Sequence, residues 1–204
     1  MKKVMKSLKL YITEALHINK DTKGNYHNYH PKTNYELKKL IMKLIKERGN
    51  DANLNDIDVS GITDMTSVFY MSEFNGDISE WDVSNVTNMN SMFMGSEFNG
   101  DISEWDVSNV VNMGGMFYDS KFNRDISNWD VSNVTDMNSM FMDSKFSSDI
   151  SNWDVSNVLN MGCLFYKSKF NGDISKWDVS NVKYMIRMFD NSPLEKNPPK
   201  WYKK

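Results

Sequence analysis

The stretch FNGDISEWDVSNV, residues 74–86, returns with few changes at Phe98, Phe122, Phe146 and Phe170. The period is 24 residues throughout, with no insertion between copies. A fixed period of this size marks coils that stack, each burying a face that only its neighbours complete. A degenerate copy precedes the five: Leu54, Ile57, Val59, Ile62, Met65 and Phe69 fall one period before Ile78, Trp81, Val83, Val86, Met89 and Phe93. A partial copy follows, with Leu194 in the Phe74 column and Trp201 in the Trp81 column. No proline interrupts the full copies: Pro31 precedes them, Pro193 is the last residue of the fifth, and Pro198 and Pro199 follow, so the helix and ladder breakers bracket the full copies. The chain therefore divides into residues 1–32, residues 33–50 and an array over residues 51–201.

Within a copy two periodicities follow one another. Trp81 and Val83 alternate with Glu80, Asp82 and Ser84, which predicts a short half-buried strand. Val86, Met89, Met92 and Phe93 are spaced by three and four, which predicts one or two helical turns, with Ser84 and Asn85 as the turn between. The expected fold is an α/β repeat solenoid, leucine-rich-repeat-like, with a parallel sheet of short strands on one side, short helical turns on the other and an N-terminal helical cap. In the helical half, Asn90, Gly114, Asn138 and Gly162 alternate in step with Met94, Tyr118, Met142 and Tyr166. On a helix these are i to i+4 pairs, a bulky Tyr over Gly and a Met over Asn, and a 48-residue duplication gives the same pattern.

The element FNGDISEWDVSNVTNMNSMF, copied five times, resembles the repeat of the BspA-like leucine-rich repeat surface proteins, a group also described as a domain of unknown function of mycoplasmas and gut bacteria. The resemblance implies a leucine-rich-repeat fold and a role in surface adhesion and protein binding. Secreted members of that group carry leaders. Here Lys2 and Lys3 imitate one, but Lys6 and Lys9 interrupt the apolar core that a leader needs. The expectation is no secretory signal and a cytoplasmic or virion-associated protein, with the cell surface as the alternative that the resemblance implies. The opening MKSLKLYITEAL also resembles short leader helices on proteins of large tailed phages of gut bacteria.

Composition narrows the function. The chain has 204 residues and a net charge of −3, and no apolar run is long enough to cross a bilayer. That small charge conceals a basic front of +8 over residues 1–50, −14 over 51–193 and +3 over 194–204. Residues 51–120 carry 13 acids and no Lys or Arg. The −14 opposes nucleic-acid binding. One cysteine excludes an internal disulfide, and the three histidines all precede residue 31, which weakens most enzyme readings. Every candidate acid recurs in every copy, so no polar constellation breaks the repeat; no catalytic residue, cofactor or metal is assigned. The His27 and His30 pair is read as incidental, and Cys163, in a column of small residues, as an inert buried thiol.

The constant apolar columns are read as core, in preference to a ligand box of stacked Trp and Met. The constant Asp77 and Asp82 columns would repel unless each carboxylate accepts backbone or hydroxyl hydrogen bonds or shares a cation. Asn85 is expected to cap turn backbone from inside the coil. The informative column is the one that changes: Glu80, Glu104, Asn128, Asn152 and Lys176 run from acidic to basic. If Trp81 and Val83 point inward, this column lies on the open sheet face as the candidate site for a protein or glycan partner. Drift on a solvated face is the competing reading.

Upstream, Thr33 with Glu36 three residues on, the stripe Leu37, Leu40, Ile41, Leu44 and Ile45, and Gly49 predict a capped helix over residues 33–48 that covers the first coil. Residues 17–32 read as a linker. Residues 4–16 place Met5, Leu8, Ile12 and Leu16 on one helical face, a candidate docking helix for a partner or, less favoured, a membrane surface.

Overall fold

A computed structural model describes residues 27–203. Thr33 caps the helix α1 (Asn34–Arg48), its hydroxyl accepting from the Glu36 amide, and Gly49 ends it at φ 91°. Leu37, Ile41 and Leu44 are buried against the same hydrophobic core that runs through every coil. Both ends of α1 are fastened to the first coil. The Asn34 amide donates to the carbonyls of Asp64 and Thr66, both at 3.1 Å. Arg48 holds Asp56 bidentately, with two contacts of 2.9 Å. Residues 28–30, expected as linker, are also docked: the Asn28 amide donates to Asp56 O at 2.8 Å and the Asp58 amide to Tyr29 O at 2.8 Å.

The parallel-sheet α/β solenoid expected from the periodicities does not form. Among the described residues there is one α-helix, one short 3-10 turn (Pro193–Glu195), and parallel pairing only as isolated bridges such as Asn88 with Asn112 and Asn112 with Asp136. The columns predicted to be helical are a chain of β-turns. Met92 donates to Met89 O and Met94 to Ser91 O, while Ser91 (φ 54°) and Gly95 (φ 67°) sit in the left-handed region, which a right-handed helix cannot contain. Alternate amides leave the coil instead: Met89, Ser91, Phe93 and Gly95 donate to Asn112, Gly114, Met116 and Tyr118 of the next coil at 2.7–2.9 Å.

The half predicted to be strand keeps its alternation of burial but makes no ladder. Short polar side chains take the amides first. Asp77 accepts from the amide and hydroxyl of Ser79, and Asp82 from those of Ser84, each a closed Asx turn. Here side chains join the coils. Trp105 Nε1 donates to Ile78 O at 3.2 Å, and the same bond recurs from Trp81, Trp129, Trp153, Trp177 and Trp201. The Asn85 amide reaches Ser60 O at 3.0 Å and Asn109 reaches Ser84 O at 2.8 Å, so this column stitches coils from the exposed surface and does not cap from inside.

The constant apolar columns form the core, with Phe93, Phe117 and Phe141 stacked at 5.7 and 5.8 Å and Trp81 on Trp105 at 6.3 Å. Without a helix, the Asn and Gly alternation has a different cause from the i to i+4 pairing. A Cβ on Gly114 would lie 2.9 Å from the Asn90 amide nitrogen, and one on Gly162 equally close to that of Asn138. Glycine in one coil makes room for the asparagine of the coil before it. Gly114→Ala is expected to lower stability by about 1–3 kcal/mol. The loss should shrink when Asn90→Ala is added, which a double-mutant cycle in urea measures; additivity would refute the close approach.

Candidate functional site

The first half of each coil carries two Asx turns, at 77–79 and 82–84 in the first full copy, with buried Ile78 and Trp81 anchoring the segment between them. This anchoring turns Glu80 outward, and the same local structure exposes Glu104, Asn128, Asn152 and Lys176. The five side chains stand one per coil on a face built of turns, not on a sheet. Shallow clefts open between neighbouring coils along it. One of about 420 Å³ is lined by Asp101, Glu104, Arg124, Asp125 and Asn128, and another of about 340 Å³ by Asp149, Ser151, Asp173 and Lys176.

The Asp column beside these residues is held ionised by local bonds. The amide of the serine two residues on, then its hydroxyl, lowers the carboxyls of Asp101, Asp125, Asp149 and Asp173 below the ordinary range. For Asp106 and Asp130 the serine hydroxyl is the larger influence and the amide the second. Asp58 falls to about 2 through the Ser60 hydroxyl, opposed by burial and helped by His30, whose Nδ1 lies 3.0 Å from Asp58 Oδ2. The like-charged ladders are thus satisfied by backbone and hydroxyl donors. Among the described residues, no group of three or more His, Cys, Asp or Glu is placed to hold a metal ion.

These shifts set an acid limit. The folded carboxyls lie below the unfolded value of about 3.9, so their stabilisation is complete above that pH and lost as pH falls through the folded values. The thermal midpoint is expected to hold from pH 7 to about 4.5 and to fall steeply between about 4 and 2. Asp125→Asn with Asp149→Asn should flatten that fall, because an amide oxygen still accepts the serine amide, as Asn53 does for Asn55 at 2.9 Å. Circular dichroism melts across the range check this, and a midpoint unchanged at pH 2.5 would refute it.

The profile of a family described as Mycoplasma protein of unknown function, DUF285, matches residues 37–145 and again 120–202. The chain belongs to this family. Neither the curated proteins nor the solved structures compared with it gave a match. The DUF285 match begins within α1 and runs on through the coils.

Other candidate residues of this DUF285 chain fall as follows. Met5, Leu8, Ile12 and Leu16 lie outside the described residues. Cys163 is half-buried, not fully enclosed, and stands at φ 55°, in a column shared by Ser67, Ser91, Ser139 and Arg187 in the same left-handed conformation. That turn geometry, rather than core packing, explains the small residues in the column. His27 and His30 meet edge to face at 6.3 Å. No described helix is long and apolar enough to cross a membrane.

Sequence reasoning passed over the last full coil. Its Asx position, held by Asn88, Asn112, Asp136 and Asn160 in earlier coils, becomes Tyr184, and the Asn or Gly two residues later becomes Ile186. Both are exposed, at 64% and 73%. The signal was available as a break in two polar columns.

Proposed function

We propose that the chain is a non-enzymatic interaction module of the adhesion type, presenting the graded column Glu80, Glu104, Asn128, Asn152 and Lys176 to a protein or glycan partner. The observation that carries this reading is the repeated exposure of these five side chains over buried Ile and Trp anchors. A stacked array recognises an extended partner by contributing one side chain per coil, and a charge gradient along the column sets the partner's direction. The carboxylates of Asp101, Asp125, Asp149 and Asp173 on this face recur from coil to coil and are tied to serine donors, which supports a binding reading over a catalytic one. The alternative is a virion- or membrane-associated structural protein docked through Met5, Leu8, Ile12 and Leu16.

A triple charge reversal separates the two. Glu80→Lys, Glu104→Lys and Lys176→Glu together are expected to lower binding to a partner found on glycan and protein arrays by at least about tenfold, with the melting midpoint unchanged, since all three side chains are exposed. Binding that survives the reversal but is lost on removal of residues 1–20 would overturn the column in favour of the docking segment.

A further inference from the structure

The coil-to-coil bonds have a polarity, and among the described residues it leaves the edge at residues 183–187 open. In each earlier coil the amides equivalent to Met185 and Arg187 donate onward: Met161 to Tyr184 O at 2.7 Å and Cys163 to Ile186 O at 2.8 Å. The carbonyl equivalent to Lys183 accepts from the following coil, as Leu159 O does from the amides of Lys183 and Tyr184 at 2.8 and 3.2 Å. Among the described residues nothing meets the Lys183 carbonyl or the Met185 and Arg187 amides in these ways. Residues 194–202 lie elsewhere on this end, with Trp201 Nε1 on Ile174 O at 3.0 Å and Tyr202 against Phe189 at 4.8 Å.

The opposite end is treated differently. There the outward carbonyls of Asp64 and Thr66 are taken by the Asn34 side chain. A second copy set head to tail therefore finds the acceptors that match Met185 and Arg187 already taken, and a copy turned antiparallel about Tyr184, although its Lys183 carbonyl could meet the Met185 amide, would bring two basic edges together. The open edge is also where the repeat changes chemistry, with Tyr184 and Ile186 replacing the polar columns. Beside it a cleft of about 490 Å³ is lined by Met185, Ile186, Arg187, Asp190, Tyr202 and Lys203. The chain here is basic: residues 183–203 carry Lys183, Arg187, Lys196, Lys200 and Lys203 against Asp190 and Glu195.

We infer that this edge binds an extended acidic peptide segment of another protein, which pairs in parallel with residues 183–187. One peptide residue donates its N–H to Lys183 O and accepts from the Met185 amide, adding one more parallel bridge at Tyr184. Apolar peptide side chains cover Ile186 and Tyr184, and acidic ones face the lysines. Arg187 is already held on Tyr166, its guanidinium 4.4 Å from the ring centre and donating to Tyr166 Oη at 2.8 Å, so it frames the site without closing it. The site is separate from the Glu80 column and does not rest on it.

The test uses the full chain and a fluorescein-labelled heptapeptide alternating Val and Glu, with a Val and Lys version and a backbone N-methylated Glu version as controls. Fluorescence anisotropy is expected to show saturable binding of the acidic peptide alone. Ile186→Asp should weaken it at least tenfold while the melting midpoint stays unchanged, because the column already accepts Asn and Gly. Hydrogen exchange at Met185 and Arg187 should slow at least tenfold on saturation. The triple reversal at Glu80, Glu104 and Lys176 should leave this binding intact. Equal binding of the Lys or N-methylated peptide, insensitivity to Ile186→Asp, or self-association that Ile186→Asp abolishes without any peptide binding would each overturn the assignment.

Discussion

Phe117→Ala is expected to cost about 3–5 kcal/mol, among the largest effects of any single truncation in this chain. Phe117 is fully buried, stacked between Phe93 and Phe141, and packed against Phe122 at 4.3 Å and Trp129 at 6.3 Å. Its neighbours are rings held in register by backbone bonds from coil to coil, so they cannot collapse into the space that the substitution leaves. Because each coil contacts only its neighbours, the lesion sits at a junction between two halves of the array. Urea unfolding should show a lower midpoint and a broadened or split transition, as the two halves lose cooperativity. Phe189→Ala, in the last full coil, should lose less, since that end can fray without uncoupling the rest. Equal losses at the two positions would refute the stacked, nearest-neighbour account.

The second large effect belongs to the cap. Leu37→Asp places a carboxylate at a site with no exposure, where no donor is available, and is expected to cost on the order of 4 kcal/mol. The consequence reaches beyond α1. Release of the helix uncovers the edge of the first coil, where Leu54, Met65 and Phe69 are buried, and frees the carbonyls of Asp64 and Thr66. An uncovered edge of this kind templates pairing with other chains. The variant should bind a hydrophobic dye and aggregate on heating, whereas Lys39→Asp, on the exposed face of α1, should do neither. A monomeric, dye-negative Leu37→Asp protein would show that the helix is dispensable to the array.

The contrast between these two regions shows where sequence reasoning reached and where it stopped. For α1, Thr33, Glu36, the apolar stripe and Gly49 are local signals, and the helix forms as they indicate. In the coils, the same reasoning assigned a helix to Met89, Met92 and Phe93 from their spacing. The spacing is real and marks burial, but left-handed residues at Ser91 and Gly95 make it a turn chain. A three-and-four spacing of buried residues is common to a helix and to a coil with regular corners. The exposed column followed from Trp81 and Val83 alternating with Glu80 and Asp82, and that alternation survives without any sheet, because buried side chains alone enforce it.

The sequence by itself determined the 24-residue period, the identity of the core columns, the capped helix and the reversal of charge along the chain. Each of these is written in residue type and spacing, and each depends on burial or on contacts close in sequence. Only the tertiary structure decided where the backbone hydrogen bonds go. Asp77 and Asp82 take amides that a sheet would have used, Met89 and Phe93 send theirs to the next coil, and Asn34 takes carbonyls at one edge while Lys183, Met185 and Arg187 find no such partner among the described residues at the other. An amide has several acceptors within reach along the chain, and the choice among them is made by the neighbouring coil, which no single copy of the repeat contains.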